Sequence, residues 1–246
     1  MANGERPVVL ITGAARRVGA AIARVLHGAG YDLALHCRHS RAELDALIAA
    51  LETARPHSTH ALQAELAEAE RLPALVDAAV ARFGRLDGLV NNASAFRPTP
   101  IGAITPTDWD ELFAANARAP LFLAQAAAPH LAARHGAIVN LIDIYAERPL
   151  PCHSVYGMAK AALAMATKAL AQELAPAVRV NGVAPGAVLW PEAGKDRGDR
   201  QALIARTPLQ RCGTPEDVAG AVLWLLRDAP FVTGQIIRVD GGRSLA

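Results

Sequence analysis

The stretch Val8-Val9-Leu10-Ile11-Thr12-Gly13-Ala14-Ala15-Arg16-Arg17-Val18-Gly19 decides the fold. Four consecutive apolar residues, three of them β-branched, read as a short strand buried on both faces. The run breaks into a glycine-bearing turn, and from Val18 to Ala29 the apolar residues recur at helical spacing. A helix opening straight out of such a turn presents unpaired N–H groups and the positive end of its dipole, an arrangement that holds phosphate. The opening of the chain therefore predicts a nucleotide-binding strand–turn–helix.

The same alternation continues outward from it. Short β-rich runs at Val8–Thr12, Asp32–His36, Thr59–Gln63, Leu86–Val90, Ala137–Ile142, Arg179–Val183 and Gln235–Val239 are separated by helical patterns. Those patterns cover Val18–Ala29, Arg41–Ala54, Leu72–Phe83, Thr107–Ala133, Val155–Leu174 and Pro215–Leu226, with Gly30 and Gly84 at stop positions. Strands and helices alternating in this way predict an α/β fold, a doubly wound parallel sheet with right-handed crossovers and helices on both faces. One segment, 187–207, breaks the rhythm with charged residues and glycines. Ligands bind beyond the C-terminal strand ends of such sheets, where this long connection must emerge, so a substrate lid is expected there.

Length and composition narrow the field. With 246 residues, 52% of them apolar, and no linker-like stretch, residues 1–246 are expected to form a single domain. A formal net charge of +2 gives no basis for nucleic acid or membrane-surface binding. No run approaches the roughly 20 apolar residues that span a bilayer. The first residues lack the basic segment and apolar core of a signal peptide. Cys37, Cys152 and Cys212 are scattered and fit neither a disulfide framework nor a zinc site. We therefore expect a reduced, cytoplasmic, metal-free protein whose thiols fill the core or a pocket.

The chemistry sits in Tyr156-Gly157-Met158-Ala159-Lys160. Four-residue spacing puts a phenol and an ammonium on one helical face. A nearby cation favours phenolate, which predicts an acid/base pair working near neutral pH. A phosphate cradle followed by Tyr-x-x-x-Lys resembles the short-chain dehydrogenase/reductase family along nearly the whole chain. The resemblance implies a Rossmann-like seven-stranded sheet in the order 3-2-1-4-5-6-7.

It also implies a nicotinamide cofactor. The cradle Gly13, Arg16, Arg17, Val18 and Gly19 would hold the pyrophosphate. After the second strand, His36-Cys37-Arg38-His39-Ser40 has none of the acid that usually bonds the ribose 2′-hydroxyl. Arg38, His39 and Ser40 instead suit a 2′-phosphate, so NADPH is expected. By resemblance, Glu65 and Leu66 contact the adenine, Asn92, Ala93 and Ser94 line the nucleotide, and Pro185, Gly186 and Val188 lie by the nicotinamide. Lys160 would bind the ribose hydroxyls together with Tyr156. Asn91 is assigned equally to the cofactor or to bracing the sheet, and Asn116 would bend its helix and hold a water linked to Lys160.

The family's catalytic tetrad places a Ser thirteen residues before the Tyr, and here Asp143 stands there. A carboxylate facing a developing alkoxide is repulsive, whereas a carboxyl can serve a basic ring nitrogen. Asp143, Tyr156 and Lys160 together resemble the pteridine reductases, which reduce biopterin- and folate-type rings. So do Thr12–Gly19 and the run Asn92-Ala93-Ser94-Ala95-Phe96-Arg97-Pro98-Thr99-Pro100. That resemblance implies a pterin stacked by Phe96 and contacted by Arg17 and Ser94, with Leu189 and Trp190 of the lid nearby, in a homotetramer. His153 departs from the protozoan members, which carry a second Tyr there. The alternatives are an NADPH-dependent carbonyl or 3-oxoacyl-thioester reductase and a non-catalytic redox-sensing module.

Overall fold

Strand β1 (Val8–Ile11) lies wholly inside the computed structural model, which describes residues 6–188 and 197–245; none of its four side chains is more than 1% exposed. Alternation along β1 sends Val9 and Ile11 into one apolar layer and Val8 and Leu10 into the other. In chain order there follow α1 (Arg17–Gly28), β2 (Asp32–Cys37), α2 (Arg41–Ala54), β3 (Thr59–Gln63), α3 (Leu72–Phe83), β4 (Gly88–Asn91), α4 (Pro106–Phe113) and α5 (Ala119–Ala132). Then come β5 (Ala137–Leu141), α6 (Ser154–Glu173), β6 (Arg179–Pro185), α7 (Arg197–Ala205), α8 (Pro215–Arg227) and β7 (Ile236–Val239).

The seven strands form one parallel sheet in the order β3-β2-β1-β4-β5-β6-β7, as the sequence leads one to expect. Helices α1, α2 and α8 cover one face, and α3, α5 and α6 the other. The chain leaves β1 toward β2 on one side and reaches β4 on the other, so a crevice opens at the C-terminal end of β1. Among the described residues no helix is long and apolar enough to cross a membrane.

Three local features refine the sequence expectation. The helix expected at Thr107–Ala133 is interrupted by a π-helical turn at Ala114–Arg118. Its cause is Asn116, whose Nδ2 donates to the Leu112 carbonyl at 2.9 Å and intrudes on the backbone ladder. β4 begins at Gly88 rather than Leu86, because Asp87 turns its carboxylate to the Val8 N–H at 2.8 Å. Part of the segment 187–207 is helical, as α7, while Leu189 and Trp190 lie outside the described residues. Capping boxes from Thr105 with Asp108 and from Thr214 with Asp217 fix the starts of α4 and α8.

Candidate active site

The cradle is built so that only glycine fits. Gly13 adopts φ +63°, and a Cβ there would lie 2.9 Å from the Ala93 Cα. A Cβ on Gly19 would lie 2.1 Å from the Gly13 carbonyl oxygen and 2.7 Å from the Asn92 side-chain amide. Thr12 Oγ1 accepts from the N–H groups of Asn92 and Ala93 at 3.0 Å each. Asn92 Nδ2 returns bonds to the carbonyls of Thr12 and Gly13 at 2.9 Å each. Asn92 and Ala93 thus clamp the β1–α1 turn to the end of β4. The N-terminus of α1 has no side-chain cap and no acid in its first turn, which leaves it receptive to an anion.

Arg16 and Arg17 are exposed and Val18 is half-buried beside this turn. Arg16 lies 3.7 Å from Glu43, whereas Arg17, at φ 54°, has no ion-pair partner among the described residues. These features fit a dinucleotide pyrophosphate.

His36, expected among the cofactor-binding residues, lies within β2. Its ring is buried, accepts from the Gly13 N–H at 3.3 Å through Nδ1 and bonds the Ala64 carbonyl at 3.1 Å through Nε2. Burial holds its pKa below the ordinary value, so the neutral ring ties the cradle to the end of β3. Arg38 and Glu65 meet at the adjoining edge as an ion pair, Nε to Oε2 at 2.5 Å. His39 is exposed beside them, Ser40 begins α2 without a capping bond from its hydroxyl, and Leu66 is buried below.

At the other end of the crevice Pro185 closes β6, and a Cβ on Gly186 would lie 2.7 Å from the Asp240 Cβ. Val188 packs into the layer formed with α1 and α8.

Asp143, Tyr156 and Lys160 converge where β5 ends and α6 begins. Asp143 Oδ1 accepts from the Tyr145 N–H at 2.9 Å, which turns Oδ2 toward the Tyr156 hydroxyl, whose proton it accepts at 2.7 Å. Lys160 is 2% exposed; its Nζ donates to the Leu141 carbonyl at 2.8 Å and lies 5.9 Å from the Tyr156 ring centre.

The protonation logic differs from the phenolate expectation. Burial first, then the Asp143 charge and its hydrogen bond, push the Tyr156 phenol well above its ordinary value. Burial likewise raises the Asp143 carboxyl, against opposing pulls from the Tyr145 N–H, the Tyr156 hydroxyl and Lys160. The Lys160 ammonium is lowered to about 8 by burial. A neutral phenol beside a buried cation is a stored proton donor. Desolvation outweighs the cation that the sequence argument relied on.

Asn116 is fully buried, with Nδ2 donating to the Ala95 carbonyl at 2.8 Å and Oδ1 accepting from Ser94 Oγ at 2.7 Å. It braces the turn after β4 and makes no direct bond to Lys160. Asn91 braces too: its Nδ2 donates to Asn140 Oδ1 at 2.9 Å, and Asn140 Nδ2 donates to Thr167 Oγ1 at 2.9 Å. This buried chain locks β4 and β5 to α6, and neither Asn140 nor Thr167 was legible as part of it.

Phe96 is 55% exposed, so it is no core residue. Its ring stacks on His153 at 4.6 Å and 17° and meets Tyr156 edge-on at 4.8 Å. No role for His153 was legible in the sequence, although its place three residues before Tyr156 puts it near the same helical face. Cys37 is buried and fits the core-filler reading, Cys212 is half-buried, and Cys152 is exposed and does not fit it.

Residues 13–244 match a short-chain dehydrogenase family model described as enoyl-(acyl carrier protein) reductase. An uncharacterized oxidoreductase of Methylorubrum extorquens is 38% identical, across 98% of this chain and 99% of its own length. Pteridine reductase 1 of Leishmania tarentolae is 37% identical, across 97% of this chain and 96% of its own. A 3-oxoacyl-[acyl-carrier-protein] reductase of Staphylococcus aureus is 34% identical, across 95% and 96%. With the sheet order, the glycine cradle and the Tyr156–Lys160 pair, these matches make the chain a member of the short-chain dehydrogenase/reductase family of oxidoreductases.

Proposed function

We propose that this protein is an NADPH-dependent reductase of pterin- or folate-type rings. The carrying observation is Asp143, a carboxyl raised by burial that accepts the Tyr156 phenol proton at 2.7 Å where the family places a hydroxyl. A ketone oxygen gaining negative charge is poorly served by a carboxylate, whereas a ring nitrogen gaining a proton is well served. Exposed Phe96 offers a flat face over the same phenol, and aromatic stacking adds on the order of 1 kcal/mol beyond burial. The 37% identity to a pteridine reductase supports the reading.

When bound, NADPH supplies the hydride. Gly13, Gly19, Asn92, Ala93 and Ser94 would hold the pyrophosphate side, Arg38, His39 and Ser40 the 2′-phosphate, and Glu65 and Leu66 the adenine. Pro185, Gly186 and Val188 would lie at the nicotinamide, with Lys160 on its ribose. Arg17, which has no ion-pair partner among the described residues, orients the pterin against Phe96. Tyr156 passes its proton to the ring nitrogen next to the reduced carbon. The buried Lys160 ammonium then stabilises the phenolate left behind, and Asp143 orients the ring through its second nitrogen. Exposed Trp109, Leu121, Phe122, Met158 and Met165 on α4 to α6 favour association through those helices, which we read as a homotetramer in the cytoplasm.

A second reading is reduction of a 3-oxoacyl thioester, favoured by the Staphylococcus relative. NADPH consumption is to be followed with dihydrobiopterin, dihydromonapterin, dihydrofolate, quinonoid pterin and an acetoacetyl thioester. The pterin reading expects turnover of at least one pterin and a loss of about 10²-fold or more in Asp143→Ser. Turnover of the thioester alone, kept or improved by Asp143→Ser, would establish the second reading instead.

A further inference from the structure

Arg38 and Glu65 occupy neighbouring strand ends, one residue beyond β2 and two beyond β3, with Cys37 and Gln63 paired in register. Both backbones are fixed. Gln63 Nε2 donates to the Arg38 carbonyl at 2.9 Å, and the His36 ring anchors Ala64, the residue preceding Glu65. Glu65 Oε1 also accepts from the Ala67 N–H at 3.2 Å while Oε2 meets the Arg38 guanidinium at 2.5 Å. Carboxylate and guanidinium are thus held against each other by two anchored loops. The neighbouring arginines do not relieve the pairing, because Arg41 is bonded to Asp45 at 2.8 Å and Arg16 lies by Glu43.

A guanidinium already matched to a carboxylate presents little net charge, whereas a 2′-phosphate is recognised by an unshared fork of N–H donors. We propose that Glu65 competes internally for Arg38, so that a nucleotide's 2′-phosphate must displace a carboxylate. Glu65, on this view, sets how strongly the site separates nucleotides with a 2′-phosphate from those without. The proposal rests on the reading of this edge as the 2′-phosphate site. Glu65→Gln keeps an acceptor of the same length for the adenine and removes only the charge.

The test is titration calorimetry on the full chain with 2′,5′-ADP and with 5′-AMP as probes, for the wild type, Glu65→Gln, Arg38→Ala and the double variant. Glu65→Gln is expected to tighten 2′,5′-ADP by about threefold to tenfold, the scale of an exposed ion pair with a screened like-charge repulsion, while 5′-AMP changes less than about twofold. In the Arg38→Ala background the same change is expected to give about none of that gain. Unchanged or weaker 2′,5′-ADP binding in Glu65→Gln, with Arg38→Ala still weakening it, overturns the competition and leaves the 2′-phosphate reading intact. If Arg38→Ala does not weaken 2′,5′-ADP relative to 5′-AMP, the 2′-phosphate reading itself falls, and the proposal with it.

Discussion

Replacing Lys160 by Met should make the protein more stable as it abolishes turnover. The ammonium is 2% exposed, and its one hydrogen bond among the described residues goes to the Leu141 carbonyl at 2.8 Å. Burial lowers its pKa from 10.5 to about 8, so holding the proton inside at pH 7 costs roughly 3 kcal/mol relative to the unfolded chain. Methionine matches the length of the side chain and carries no charge. Its substitution gives up the bond to Leu141, worth about 1 kcal/mol. Asp143 loses a cation, but its partly buried, already raised carboxyl can take up a proton. The net expectation for Lys160→Met at pH 7 is a gain of about 1–3 kcal/mol, or a melting temperature higher by about 2–10 °C for a chain of this size.

The pH dependence gives the sign. The folded pKa lies below the unfolded one, so the wild type carries the whole penalty below pH 8 and sheds it between about 8 and 10.5, where only the unfolded chain still binds the proton. The stability gap between variant and wild type should therefore narrow toward pH 9.5. Urea unfolding of the nucleotide-free protein, followed by circular dichroism at pH 7 and 9.5 at one protein concentration, measures it. A variant less stable than wild type by 1 kcal/mol or more at pH 7, or a gap that does not close with pH, would refute the reasoning.

Three further outcomes are expected. Gly19→Ala, whose Cβ would sit 2.1 Å from the Gly13 carbonyl oxygen, should weaken 5′-AMP and 2′,5′-ADP alike by more than about tenfold; calorimetry that finds normal affinity would mean the turn can yield. Asn91→Ala leaves the buried Asn140 carbonyl oxygen without its donor and should cost about 1–3 kcal/mol in urea unfolding, with a null result showing that Asn140 rearranges. His153→Ala removes the ring stacked on Phe96 and should raise the pterin KM by about twofold to tenfold with little change in kcat, and His153→Phe should restore it. A fall in kcat alone would contradict the positioning role.

What could be read along the chain was whatever depends on neighbours in sequence. The buried run Val8–Ile11, the turn at Gly13 and Gly19, and the Tyr156–Lys160 spacing are set by strand and helix periods and by the sterics of single residues. Those local signals predicted seven strands in a doubly wound sheet and the place of the crevice, whereas the strand order came from the family resemblance. Even Asp143 was legible, because the resemblance places a catalytic residue thirteen before Tyr156 and that offset is a count of residues. The π-helical turn was legible only as the bend that the resemblance assigns to Asn116; its bonds to Leu112 and the distant Ala95 were not.

Only the tertiary structure decided what the side chains do once assembled. It raised Tyr156, lowered Lys160, turned His36 into a brace, paired Arg38 with Glu65 and laid His153 against Phe96. Protonation depends on water removed by residues far away in sequence, and pairing depends on which strand ends lie side by side in the sheet. Neither quantity exists until the chain has closed on itself.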